Sequence, residues 1–323
     1  MNGRVMTGSV HDALLAPRTG LLGAAGDLAR SHPEVHVRWL GTAGFEIRCG
    51  EHVLLIDPYV TRSSLARCIA APLVSDEAIA QKILPRADAI IVGHTHFDHA
   101  LDVPTIARHT GALVYGSRSA AALCLSAGVT PSKIIDVEEA LSAGGARPGS
   151  RAGNPGGTRG GYESEVGPFR LRFLASAHSR LMLGKVPLPG DIDDCDALPM
   201  RLHHYKCGAV FGVEIRVAGR TIFHLGSAEI VEESLAPLAG HDIDLLLCCV
   251  AGWTKGERFP ERAVKALSPR SILLSHWEDF FRPFDETVRV LPAVGLPRLV
   301  DRLTAASRDA RVHTLPLLGE TTL

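Results

Sequence analysis

From Val35 to Tyr59 the apolar positions fall in three short runs, 35–40, 45–48 and 53–56, parted by glycine-containing breaks. Short β-branched or apolar runs between such breaks predict three strands joined by tight connections. Beyond residue 75 the pattern alternates: helical periodicity over 76–84, 102–111 and 118–128 is interleaved with the apolar runs 89–93, 112–116 and 133–137. Alternation of that kind predicts an α/β architecture in which helices cover a sheet. A second series follows, with strands predicted over 168–179, 209–219, 220–226, 243–252 and 271–277, and helices over 260–267 and 296–306. The two halves share a rhythm of strands and then helices, which fits two βα layers packed face to face.

Residues 1–33 lack this patterning and read as an N-terminal leader, with a short helix over 21–31 that Pro33 ends. Residues 34–323 make up the predicted domain. Within it, residues from about 144 to 161 are almost all glycine, proline, arginine and small polar types, too poor in apolar surface to order themselves. They predict a mobile surface insertion, since the strand pattern resumes directly afterwards.

Composition narrows the partners. Lys+Arg 34 against Asp+Glu 35 leaves a formal charge of -1, so bulk electrostatics favours neither nucleic acid nor an anionic membrane surface. The first residues hold no continuous apolar signal core, and no run approaches the roughly 18 apolar residues of a membrane span. Seven cysteines, odd in number, scattered and without a CxxC pair, fit neither a disulfide framework nor a thiolate zinc site. The expectation is a soluble, cytoplasmic protein acting on a small molecule.

The candidate chemistry sits in IIVGHTHFDHALDVP, residues 90–104, where His94, His96, Asp98 and His99 crowd the exit of a predicted strand. On an extended chain residues two apart point the same way, so His94 and His96 converge on one point while Asp98 and His99 face another. Neutral imidazole and carboxylate are the ligands a borderline divalent ion such as Zn²⁺ accepts, and three protein ligands leave a position open for water. The apolar run before them supplies rigid support.

HTHFDHALDVP resembles the HxHxDH signature of the metallo-β-lactamase superfamily, and the surrounding order is similar too. LLIDPY offers Asp57 where that family has an aspartate supporting the metal loop; RFLASAHS offers His178 and SILLSHW offers His276 where it has later histidines. WLGTAGFEI looks like the opening hairpin of the branch containing the ascorbate-phosphate lactonases. The resemblance runs from about Val35 to His276 and implies a four-layer αββα sandwich. It implies that His94, His96 and His178 bind a first ion and Asp98, His99 and His276 a second, giving one or two Zn²⁺ per chain, with iron or manganese as alternatives.

One departure stands out. Dinuclear members carry an aspartate in a GD turn that bridges the ions, and the corresponding stretch here, IFHLGSAEI, has Ser227 in its place. With Asp98 the single carboxylate ligand, two dications and a bridging hydroxide keep a surplus of positive charge in a poorly hydrated site. Either the second ion binds weakly, or another carboxylate takes over, or an anionic substrate group completes the neutralisation. Glu229 is the nearest replacement ligand, the acidic run of Asp191, Asp193, Asp194 and Asp196 another, and His224 lies close enough for a supporting role.

The expected activity is hydrolysis of a small ester, lactone or phosphoester by metal-activated water. Asp98 would orient or deprotonate that water, Asp57 would fix the ligand loop, and Ser227 would donate a hydrogen bond to the nucleophile. Arg180, Lys185, Arg201, His203, His204, Tyr205 and Lys206 make the ends of segment 180–207 basic, which suggests an anionic substrate. An iron-dependent redox or oxygen enzyme on the same scaffold is the alternative; a nuclease and a non-catalytic relative are further readings.

Overall fold

The computed structural model describes residues 33–143, 160–181, 184–193, 198–291, 294–307 and 309–323. The predicted leader, up to residue 32, and residues 144–159 of the predicted insertion lie outside this set. Strands β1 (Val35–Gly41), β2 (Gly44–Cys49), β3 (His52–Ile56), β4 (Ala89–Ile91), β5 (Leu113–Gly116) and β6 (Ile134–Asp136) lie side by side in a first sheet. A second sheet contains β7 (Tyr162–Val166), β8 (Phe169–Ser176), β9 (Val210–Val217), β10 (Arg220–Leu225), β11 (Leu245–Cys249), β12 (Ser271–Ser275) and β13 (Arg311–His313). The last strand, β14 (Glu320–Thr322), returns to the first sheet and pairs antiparallel with β1, Val37 opposite Thr321. Each sheet is mixed: β1–β2–β3 and β7–β8–β9–β10 pair antiparallel, and crossovers make β3–β4–β5–β6 and β10–β11–β12–β13 parallel.

The apolar runs are continuous rather than alternating because the central strands are buried on both faces. Leu54 and Ile56 of β3 face a core shared with Phe173, Ile215, Leu247 and Leu273 of the other sheet, while Val53 and Leu55 face outward. Those outward residues meet Ile90, Val92 and Val114 and the apolar sides of α4 (below) and its neighbours. On the second sheet Leu246, Ile272 and Leu274 turn away from the shared core onto Trp253, Phe259, Leu299 and Leu303.

Helices α1 (Leu65–Ala70), α2 (Glu77–Ile83), α3 (Phe97–Ala100), α4 (Val103–Thr110), α5 (Arg118–Ser126) and α6 (Val137–Ser142) belong to the first half, and α7 (Phe259–Leu267) and α8 (Leu296–Ala306) to the second. The result is the four-layer αββα sandwich, helices on each outer face of two packed sheets. No helix among the described residues is long and apolar enough to cross a membrane. The six described cysteines are buried, packing as small side chains in the cores.

Several short elements escaped the sequence pattern. Strand β14 carries ETT, with no apolar run to announce it, and exists only through its non-local pairing with β1. Strand β7 is an edge strand with Glu163 and Glu165 on its open side, and α1 leaves Leu65 and Ile69 exposed, so it shows no apolar stripe facing the core.

What this topology does for function is gather strand ends. Strands β3 and β4 run parallel, and β8, β10, β11 and β12 share one direction. The chain therefore leaves them at the same edge of the sandwich, after Ile56, Ile91, Ser176, Leu225, Cys249 and Ser275. Two backbone bonds tie the sheets there: Phe211 N–H donates to Gly93 at 3.0 Å and His276 N–H to Thr42 at 2.7 Å.

Candidate metal centre

The segment after β4 stays extended through His96, whose backbone caps the single-turn helix α3, and then turns so that Asp98 and His99 lie on that helix. All four polar side chains, with His276, are buried. The inward ring nitrogens of His94 (Nε2) and His96 (Nδ1) lie 3.1 Å apart, and the His178 ring stands 4.7 Å from each of theirs, centroid to centroid. His276 Nε2 is 3.1 Å from Asp98 Oδ2, with the His99 ring 5.5 Å from that of His276. The donor atoms of His94, His96 and His178 fall within 4.8 Å of one another, and those of Asp98, His99 and His276 do likewise. The two groups adjoin, His94 and His99 having ring centroids 3.8 Å apart.

A tetrahedral ion with bonds of about 2.0–2.1 Å sets its donors roughly 3.3 Å apart, so the donor spacings suit a divalent ion in each group. The outward nitrogens support the same orientation. His96 Nε2 donates to the Pro187 carbonyl at 2.9 Å, His178 Nδ1 to the Ser179 carbonyl at 2.7 Å, and His99 Nδ1 to Asp57 Oδ2 at 2.9 Å. Fixing one ring nitrogen sets the tautomer and aims the other inward.

Protonation follows from burial. The His94 and His96 rings are held below the usual imidazole range chiefly by burial, and burial with the adjacent His96 pushes His178 down to about 3. These rings are neutral, the form that binds metal. Burial also lowers His99, but the Asp57 carboxylate outweighs it and the net shift is upward. For Asp98 burial raises the pKa, and the hydrogen bond from His276 with the charges of His99 and His276 overcomes this, leaving the carboxyl well below its ordinary value.

Asp57, fully buried at the end of β3 with φ 43°, supports the centre: its Oδ1 accepts from Gly93 N–H at 2.6 Å while Oδ2 holds His99. A side chain on Gly93 would put its Cβ 2.9 Å from Asp57 Oδ2, which explains the glycine before His94. His276 has φ 60°, an unfavourable conformation for a residue with a side chain. It is held by its bond to Thr42, whose own N–H donates to buried Glu278 at 2.8 Å; Arg62 Nη1 donates to the same carboxylate oxygen at 3.0 Å. The pattern missed Arg62 and Glu278, because nothing in either one's neighbourhood identifies a partner 216 residues away.

Ser227 does face the centre, where its Oγ accepts the N–H of Ser179 at 2.9 Å and so ties the end of β10 to the residue following His178. Glu229 is not brought to the candidate ligands. Its carboxylate accepts from Arg262 Nη1 of α7 at 2.9 Å and belongs to neither ligand group. His224 is fully buried behind the centre, edge-on to Phe45 at 6.2 Å and beside Gly226, and is likewise outside both groups. Asp191 accepts from Ser119 Oγ and joins neither group, nor does Asp193; Asp194 and Asp196 lie outside the described residues.

A cavity of about 860 Å³ opens over the ligands. The basic residues of segment 180–207 do not line it: Arg180, Lys185, Arg201, His203, His204, Tyr205 and Lys206 are all absent from its wall, which that segment supplies instead through Leu181, Pro187, Leu188 and Leu202. Part of the segment serves as a brace, with the carbonyls of Lys206 and Cys207 accepting from the Thr95 hydroxyl and amide between the two histidines. The wall also includes Phe97, Phe280 and Phe281, which the sequence signals only as the Phe inside HTHFDH and the FF pair after His276.

A family model described as the beta-lactamase superfamily domain matches residues 36–276. A UPF0173 metal-dependent hydrolase from Anaeromyxobacter sp. (strain K) is 27% identical over 256 residues, 76% of each chain. One from Heliobacterium modesticaldum is 25% identical and covers 87% of this chain and 94% of its own. Among solved structures, a possible metal-dependent hydrolase from Veillonella parvula superposes with TM-score 0.54 at 13% identity, over 90% of this chain and all of its own. CmlA, a diiron β-hydroxylase from Streptomyces venezuelae, gives 0.54 at 16% identity over 90% of this chain and 54% of its own. At those identities the structural likeness concerns the fold alone.

Proposed function

This chain belongs to the beta-lactamase superfamily domain family, and from that premise we propose that it is a metal-dependent hydrolase of a small molecule bearing an ester or lactone bond. The observation that carries the reading is the pair of adjoining three-ligand groups at the floor of an open cavity. A bound divalent ion supplies Lewis-acid polarisation of the scissile carbonyl and acidifies water. His94, His96 and His178 offer three neutral nitrogens, and Asp98, His99 and His276 offer a carboxylate and two more. Zinc suits this donor set, and iron or manganese is compatible with it.

Asp98 brings the one carboxylate of the two groups, and that carboxylate orients water by accepting its hydrogen bond. Asp57 keeps His99 aimed, and Ser227 keeps the His178 loop in place by accepting from Ser179 N–H and donating to Ser179 Oγ at 3.4 Å, a long bond whose proton can turn toward a nucleophile. Turnover that is unchanged in Ser227→Ala, with unchanged metal content, would remove the last role.

The test is metal content per chain in protein purified without added metal, together with hydrolysis of a 4-nitrophenyl ester before and after chelation. The expected result is at least one zinc, iron or manganese per chain and hydrolysis that chelator abolishes and metal restores. Metal-free protein that hydrolyses equally well, or His94→Ala with full activity, would overturn the reading. Oxygen uptake in the same assay, without ester cleavage, would mark the redox alternative instead.

A further inference from the structure

The wall of the cavity is chemically one-sided. Beyond the metal ligands, Ser227, Thr254 and Lys255 are its hydroxyl and charged side chains among the described residues, Cys249 adds a thiol, and Lys255 is the one cation. The remaining side chains are apolar. Phe280 stands edge-on to the ligand His276 at 5.0 Å, Phe281 lies 4.4 Å from Phe280, and Phe97 stacks at 28° on Phe281, 6.3 Å away. Three aromatic rings therefore form a connected cluster that starts at His276 of the second ligand group, and Leu181 and Leu188 line the same cavity. Phe281, Leu181 and Leu188 are only half-buried, apolar side chains left open in the same cavity as the candidate ligands.

Such a wall selects by what it fails to offer. A sugar or nucleotide brings many hydroxyl and phosphate groups, each of which loses water on entry and needs a partner. A phosphate dianion would meet Lys255 and the ligands and little else. An alkyl chain or aryl ring would lose only unfavourable contact with water.

Resting on the hydrolase reading above, we infer that the larger part of the substrate is an apolar acyl or aryl group seated against Phe97, Phe280 and Phe281, with the scissile carbonyl directed to the two ligand groups. This departs from the anionic substrate suggested by the basic segment 180–207. In the reaction water adds its oxygen to the acyl carbon, the acyl C–O bond breaks with its electron pair on the departing oxygen, and that oxygen takes one proton. The other proton is released as the carboxylic acid ionises.

The experiment uses the protein with its native metal. Hydrolysis of 4-nitrophenyl octanoate is compared with that of 4-nitrophenyl acetate, and binding of octanoate with that of acetate by calorimetry. If each buried methylene contributes even part of its transfer free energy, kcat/KM for the octanoyl ester exceeds that for the acetyl ester by about 30-fold or more. Octanoate then binds at least about tenfold more tightly than acetate. In Phe281→Ser, checked for unchanged circular dichroism and metal content, both preferences collapse; in Phe281→Leu they persist.

Equal rates on the two esters with equal binding of the two carboxylates would overturn the inference and leave the hydrolase reading standing. Tight octanoate binding that Phe281→Ser abolishes, with no ester hydrolysed, would do the reverse.

Discussion

At the scale of single residues the centre depends on where carboxylates are and are not. Asp98 is the one carboxylate among six candidate ligands, and Asp57 acts on His99 rather than on an ion. Ser227→Asp places a second carboxylate at the ligand face, and we expect metal content to rise toward two ions per chain, read by elemental analysis against the parent protein. Asp57→Asn keeps the shape but removes the charge that orients His99; metal affinity should fall by about 10–100-fold in a competitive chelator titration. The two candidate groups were legible because four of their six residues crowd six positions after an apolar run. The pairing of Glu229 was not, because Arg262, which donates to its carboxylate, lies 33 residues further on in another element.

At the scale of elements, the loop after β12 is the strained part. His276 and Thr42 both have positive φ, and the buried Arg62–Glu278 pair, with Arg62 also capping the Asp279 carbonyl at 3.1 Å, closes the turn between β1 and β2 onto that loop. Arg62→Met leaves the Glu278 carboxylate buried with no cation, and removal of one partner from such a pair costs about 3–5 kcal/mol. The expected outcome is a matching loss in denaturant-unfolding free energy, with weaker binding at the group containing His276; an unchanged unfolding curve would show that water takes over the role of Arg62. The doubly buried strands β3, β4, β11 and β12 were plain from their apolar runs. The loops carrying Arg62 and Glu278 were not, since an irregular backbone has no period from which side-chain direction can be read.

At the scale of the whole molecule, burying so many imidazoles at one edge makes the metal-free protein acid-sensitive. His94, His96 and His178 are lowered in the fold, His178 to about 3, so the unfolded chain takes up protons first as pH falls. Their contribution is intact above about pH 6.5 and is lost below it, for His178 on the order of 1.4 kcal/mol per pH unit until its folded value of about 3 is approached. His99, raised by Asp57, has the opposite sign and offsets part of this loss. Thermal unfolding of chelator-treated protein should therefore give a markedly lower midpoint at pH 5 than at pH 8; equal midpoints would contradict neutral, buried rings. The layered architecture could be anticipated because two cores per strand leave a clear mark on composition. The chemistry of the cavity wall could not, because it depends on which side of segment 180–207 turns inward, and among the described residues Leu181, Leu188 and Leu202 do so while Arg180, Lys185, Arg201 and Lys206 do not.

The return of β14 to the first sheet sets a rule for the order of assembly. Trp39 exchanges backbone bonds with Leu318 and Gly319, and β1 has no other neighbour on that side. The first strand of the domain to leave the ribosome thus waits with an open edge until residue 322 has been translated, and any nick near residue 320 reaches back to where synthesis of the domain began.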